Sequence, residues 1–307
     1  MKLLTKEAFE KSERFIKEYG RPLEIARFNY EFYNGSVEEV LVALSCFQNS
    51  DGGFGHALEA DLRAPESSVL CTSVALQIIR DLQISSENHL VESAVQFLCK
   101  ELNEKQLSWR IVPPSAENSP RAPWWYQNGR EEEFDGFSLN PAAELLGYLY
   151  DYSHLVPDSV IQLLSEKVIS VIVGAEEIEM HDLLCCVRLL KTQSLPKAFR
   201  NQLYSKISPL AEKAICCEEE GWMSYSLRPL QVIDSPESTF ISSFEVATNL
   251  NLDYEIQEQQ SNGAWRPTWS WDERYPNIWE VAKKEWTGVI TLEKLLTLKR
   301  FDRIENV

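Results

Sequence analysis

Nowhere in its 307 residues does the chain hold an apolar run long enough to span a bilayer. Its opening residues, Met1-Lys2-Leu3-Leu4-Thr5-Lys6-Glu7, turn charged at once and lack the apolar core of a secretion signal. Basic residues are scarce: 30 Lys and Arg stand against 47 Asp and Glu, a formal charge of −17. That field repels phosphate backbones and anionic lipid surfaces, so no nucleic-acid partner is expected; the missing apolar run means no membrane segment is expected, and the thiols described next set the expected location as cytoplasmic. No Cys-x-x-Cys pair or Cys/His cluster has zinc-site spacing, so no metal and no cofactor are expected. The seven cysteines, an odd number, fall inside apolar helical patterns (Cys46, Cys71, Cys185-Cys186), which reads as buried, reduced thiols. Strand patterns are scarce as well. The remainder is 44% hydrophobic and 25% charged, ample for a sizeable core.

Periodicity places helices over residues 5–19, capped by Thr5, and 22–33, entered through Pro22. Ser36-Val37-Glu38-Glu39 has capping-box spacing and opens a helix to Phe47. Segments 68–82, 141–152 and 181–190 are apolar almost all round, the mark of a helix buried on every side. Segments 88–102, 158–173 and 196–215 carry a single apolar stripe, so each has one buried and one wet face. Further helices are expected from near Pro236 and Asn277, after the loops 216–235 and 261–277.

Two stretches share one pattern: Gln48-Asn49-Ser50-Asp51-Gly52-Gly53-Phe54-Gly55 and Gln259-Gln260-Ser261-Asn262-Gly263-Ala264-Trp265 both read glutamine, three residues, glycine, one residue, aromatic. The glycines supply a turn that residues with a Cβ resist, and the aromatic plugs the gap between helix ends. The loop aromatics Phe54, Trp109, Trp222 and Trp265 lie 55, 113 and 43 residues apart, so a repeat of about fifty residues runs through the chain. Each unit is a striped helix, a turn and a saturated helix. The reading is an all-α protein, one domain over residues 1–307, forming an α/α toroid of about five to six helical hairpins with saturated helices inside. An open solenoid is the competing arrangement.

The two glutamine–glycine–aromatic motifs resemble the glutamine–tryptophan repeats of squalene and oxidosqualene cyclases. Asp51-Gly52-Gly53-Phe54-Gly55, with Leu70-Cys71-Thr72 about fifteen residues on, resembles the repeats of protein prenyltransferase β subunits. The resemblance covers residues 37–82 and about 255–298. It implies a toroid with a central cavity that holds an isoprenoid-like apolar ligand. Two departures qualify it. The Asp-x-Asp-Asp proton donor of class II cyclases is missing, Asp253 standing alone in its segment, and so is the Asp/Cys/His zinc set of the prenyltransferases.

On such a ring, loops that enter the inner helices gather at one mouth, where function usually sits. Within the first such loop, Asp61 or Glu59, desolvated by neighbouring aromatics, is the expected general acid, with His56 or Arg63 orienting it or binding an anionic group. Trp109, Trp124, Trp125, Trp269 and Trp271 lie in loops and are the expected aromatic lining of a substrate cavity. Trp279 and Trp286 keep helical spacing and read as core. Asn140, Glu144, His181 and Asp182, near the starts of inner helices, read as complements to the helix dipole. The expected activity is a lyase or isomerase reaction on an isoprenoid-like substrate. A carbohydrate-active toroid and a non-catalytic binding ring are the alternatives.

Overall fold

The computed structural model describes residues 1–305, so the last two positions of the expected 1–307 domain lie outside the described residues. The helices are α1 (Lys6–Tyr19), α2 (Pro22–Tyr33), α3 (Val37–Ser45), α4 (Val69–Asp81), α5 (His89–Glu101), α6 (Glu131–Asp135) and α7 (Leu139–Asp151). They continue with α8 (Asp158–Gly174), α9 (Met180–Leu190), α10 (Lys197–Ala214), α11 (Pro229–Val232), α12 (Ile241–Gln257) and α13 (Pro276–Arg300). Among the described residues β-structure is limited to isolated bridges, and no helix is long and apolar enough to cross a membrane. The protein is all-α.

Helix starts follow from local chemistry. The hydroxyls of Thr5, Ser36 and Ser68 accept from the backbone N–H of Ala8, Glu39 and Cys71, satisfying donors that a first turn leaves unpaired. Helix α12 begins at Ile241, later than the expected Pro236, because Ser238 bonds Asp234 and the N–H of Ser235, folding that stretch into a turn. All seven cysteines are free thiols, and Cys46 is exposed at the end of α3, contrary to the burial expected for it.

By packing, the chain divides into two compact units: Met1–Cys46 together with the chain from Ile215 on, and Phe47–Ala214. In the second unit, α7 packs on α4, α8 and α9, while α5 and α10 cover α4 and α9. Helix α7 buries every residue from Pro141 to Leu149, whereas α8 buries only a stripe (Ile161, Leu164, Ser165, Val168, Ile172). Helices α4, α7 and α9 run in one direction. Near their C-terminal ends the Arg80 guanidinium lies 4.2 Å from the Tyr148 ring and donates to the carbonyl of Arg188 and the hydroxyl of Thr192. The loops that lead into all three helices therefore share the opposite end.

In the other unit, one apolar cluster joins α1, α2, α11, α12 and α13 through Phe9, Phe28, Leu230, Leu252 and Leu292. The two ends of the described chain are stitched together here. Leu4 pairs with Ile304, its N–H bonding the Arg303 carbonyl at 2.8 Å and its carbonyl accepting from Glu305 at 2.9 Å.

Both motif copies make the same bonds. The Gln48 amide nitrogen reaches the carbonyls of Gly52 (2.9 Å) and Leu90 (3.1 Å) and the Ser93 hydroxyl (3.1 Å). That of Gln259 reaches the carbonyls of Gly263 (3.2 Å) and Ala8 (3.1 Å) and the Ser12 hydroxyl (2.8 Å). The aromatic residue's N–H bonds a threonine on the next helix, Phe54 to Thr72 in the first turn of α4 at 3.0 Å and Trp265 to Thr291 in the second half of α13 at 3.1 Å. In the first copy the glutamine anchors on α5, which follows α4. In the second it anchors on α1, so the chain's first helix stands where a helix after α13 belongs.

Candidate functional site

Beyond Gly55 the backbone turns left-handed at two successive side-chain-bearing residues, His56 (φ 53°) and Ala57 (φ 61°). That conformation costs about 1–2 kcal/mol per residue and persists only where the surroundings impose it. Here the His56 N–H bonds the Ala64 carbonyl (3.0 Å), closing the loop, and the N–H of Leu58 and Leu62 bond the carbonyls of Gly55 and Glu59 inside it. A Cβ on Gly55 would sit 2.3 Å from the Glu66 carbonyl oxygen, so only glycine lets the two limbs meet. The result is a loop folded inward. Every residue from Ala57 to Leu62 is buried, including Glu59 at 9% and Asp61 at 3% exposure.

A second loop locks onto the first. Leu62 and Arg121 form an antiparallel bridge, the Ala122 N–H bonds the Asp61 carbonyl (2.8 Å), and the Arg63 N–H bonds the Pro120 carbonyl (3.1 Å). Buried Arg121 organises this second loop. Its Nη1 donates to the carbonyls of Ala116, Glu117 and Ser119, its Nη2 pairs with the Glu117 carboxylate, and its guanidinium lies 4.7 Å from the Tyr126 ring centre. Buried Gln127 adds bonds from its N–H to Glu117 and from its Nε2 to the Pro113 carbonyl. Directly after Ala122 comes a 3-10 turn, Pro123–Trp125. It carries Trp124, 38% exposed, and half-buried Trp125, whose indole N–H has no hydrogen-bond partner among the described residues.

The structure thus gathers Glu59, Asp61 and Arg63 with the Trp124–Trp125 turn. His56 is exposed at the loop's entrance, its Nε2 2.9 Å from the Asn49 side-chain oxygen, and Arg63 is half-buried with Nη1 near the Ala60 carbonyl. Trp109 is placed differently from the expected cavity lining. It is buried at 3% exposure and its indole N–H bonds the Leu98 carbonyl at 2.7 Å, near the end of α5. Trp265 does the same to Glu255 on α12, and Trp222 bonds Cys216. These indoles fill helix ends and satisfy carbonyls there. Trp269 and Trp271 belong to the other unit, where Trp269 packs edge-on against Trp286 (5.2 Å) and buried Trp271 lies 5.8 Å from Trp279.

Arg121, Glu117 and Gln127 were not legible as partners of the carboxylate loop, because the contact joins segments about sixty residues apart. A second polar group also escaped. Glu144 is 1% exposed and accepts from Tyr148 (2.5 Å) and Arg188 (2.8 Å), with the Cys185 sulfur 3.6 Å away. It is a buried ion-pair partner between α7 and α9, not the dipole complement expected of it. Burial, and then the neighbouring Glu144 charge, push the Tyr148 phenol and the Cys185 thiol well above their ordinary values, so both stay protonated. Among the described residues no group of three or more His, Cys, Asp and Glu side chains is arranged to hold a metal. No family model, no curated protein and no solved structure matches the chain.

Proposed function

We propose that the protein is an acid–base enzyme on a terpenoid-cyclase-like α/α toroid, acting at the corner where the Glu59–Asp61 loop meets the Trp124–Trp125 turn. One observation carries the reading: two carboxylates, Glu59 at 9% and Asp61 at 3% exposure, are buried in a loop entered through two left-handed, non-glycine residues. Burying carboxylates and straining backbone both oppose folding, and features of that kind concentrate where chemistry is done. In this reading Asp61 gives a proton to the substrate and Glu59 removes one from it. Arg63 fixes one limb of the loop and His56 the other. The tryptophans present π faces that favour a cationic transition state or a stacked ring.

The toroid part of the proposal is supported by the alternation of saturated and striped helices, and by the helix order returning on itself where α13 pairs with α1. Purified protein incubated with squalene, farnesol and farnesyl diphosphate, and in parallel with neutral oligosaccharides, tests the chemistry. Turnover of one class is expected, falling about 100-fold or more in Asp61→Asn as loss of a general acid requires. No product from either panel, or turnover indifferent to both Asp61→Asn and Glu59→Gln, would sink the proposal.

A further inference from the structure

Between α8 and α10, with the end of α7 at its base, the Phe47–Ala214 unit holds an open groove of about 450 Å³, inside the roughly 300–1,000 Å³ usual for small-molecule sites. Its floor is apolar, made by Ile161, Ile169 and the half-buried rings of Tyr150 and Phe199, whose centres are 6.2 Å apart. The Tyr150 and Ser165 hydroxyls meet at 2.9 Å, which ties that ring to α8. On the rim, Asp158, Gln162 and Glu166 follow one another at single-turn spacing along one face of α8, all exposed. Neither carboxylate meets a cation among the described residues. The Asp158 side chain makes no hydrogen bond or ion pair there, and Glu166 accepts only from the neutral Gln162 amide, at 3.0 Å. The neighbouring Lys167 lies over the Phe137 ring instead, and none of the residues lining the groove is basic.

The groove shares no residue with the Glu59–Asp61 corner, and we propose that it binds a linear aliphatic diamine or polyamine lying along α8. Asp158 and Glu166 are eight residues apart on one helix, about 12 Å along its axis at 1.5 Å per residue. A single metal ion cannot bridge that span, and a compact ammonium ion or one lysine side chain meets one carboxylate only. A chain with an ammonium group at each end meets both. Its methylenes lie on Ile169 and the two rings, taking apolar surface out of water. An ammonium group held near Tyr150 or Phe199 also gains from the π face. Anions are repelled by the two carboxylates and by a net charge of −17, the same field that draws polycations in. A neutral chain gains the floor alone and leaves both carboxylates without a counter-charge.

Calorimetric titration of the full chain tests this, with 1,8-diaminooctane, spermidine, 1,4-diaminobutane and Mg²⁺ in about 0.1 M salt, where exposed charges more than about 10 Å apart are screened. The two longer amines are expected to saturate a single site. They should bind at least about fivefold more tightly than 1,4-diaminobutane, which is too short to reach both carboxylates, and than Mg²⁺, which has no apolar body. Asp158→Asn combined with Glu166→Gln should weaken 1,8-diaminooctane about tenfold. Glu38→Gln combined with Glu39→Gln removes the same charge from exposed positions on α3 and should change affinity less than about twofold. Phe199→Leu, which keeps apolar bulk and removes the ring, should weaken spermidine about threefold. The four carboxylates are on the surface, so both double variants are expected to fold, which far-UV circular dichroism verifies. The proposal is overturned if neither longer amine saturates, or if affinity ignores Phe199→Leu. It is equally overturned if 1,4-diaminobutane or Mg²⁺ binds as tightly, or if the α3 pair weakens binding as much as the groove pair, since either result marks diffuse attraction to an acidic protein.

Discussion

Gly52 and Gly263 show how much of this protein rests on single residues. Both have left-handed backbones (φ 90° and 87°), and a Cβ would lie 2.3 Å from the Ser93 carbonyl oxygen in one and 2.4 Å from the Lys11 carbonyl carbon in the other. Gly52→Ala and Gly263→Ala should each lower stability by about 3 kcal/mol, strain and backbone clash acting together, as urea unfolding can measure. A loss under about 1 kcal/mol at either site would mean the turn is not held as described. This much was legible, because glycine between a glutamine and an aromatic has a local steric reason. Tyr152 had no such signature. Its phenol is pushed up to about 12 by burial first, with Asp151 adding to the shift and Arg80 opposing it. The neutral phenol is what the fold accommodates, so its contribution is complete below pH 10 and fades as the pH climbs from 10 through about 12. Tyr152→Phe should flatten that alkaline loss by up to about 1.4 kcal/mol per pH unit. Identical pH profiles for the two proteins would remove Tyr152 from the alkaline limb.

The helices themselves followed closely from periodicity and caps: α1, α2, α4, α5 and α9 start and stop within a residue or so of the boundaries that apolar spacing gives. What periodicity does not encode is which helix faces which. Glu144 is the one charged residue in the buried stretch Pro141–Leu149, and its partner Arg188 lies 44 residues away on α9, so no pattern local to α7 identifies the pair. For residues 57–62 the sequence suggested desolvation of Asp61 or Glu59 by neighbouring aromatics, but not what covers the loop: a second loop with Arg121 at its centre, about sixty residues on, which no local pattern identifies. The α7–α9 seam gives an element-scale prediction. Arg188→Met strands the Glu144 charge beside the protonated Cys185 and Tyr148, which should cost about 3–5 kcal/mol. Adding Glu144→Leu should recover most of that loss, because a well-packed apolar pair is commonly no less stable than a buried ion pair. A double variant as unstable as the sum of its singles would show that the two side chains act independently.

At the scale of the whole chain, the distinctive feature is that its two ends behave as neighbouring segments of one structure. Leu4 and Ile304 pair, buried Arg303 donates to the carbonyl of Lys2 and the carboxylate of Asp253, and Gln259 anchors on α1 as Gln48 anchors on α5. If α1 is the structural successor of α13, a covalent link between the two disturbs neither helix. A circular permutant should then fold. Joining Val307 to Met1 through a short Gly/Ser linker and opening the chain in the exposed turn at Glu176–Glu177 replaces one connection by another and leaves every helix intact. Covalent closure also removes the entropy of bringing positions 4 and 304 together, about 5 kcal/mol for a flexible loop of that length. The new break costs comparable freedom elsewhere. The expected product has the parent's helical circular dichroism and a melting temperature within about 10 °C of it. In an open row of hairpins the ends would lie at opposite extremities, and a short linker could not join them without tearing out α1 or α13. Aggregation, or a loss of helical signal equivalent to one of those elements, would exclude the α13–α1 succession.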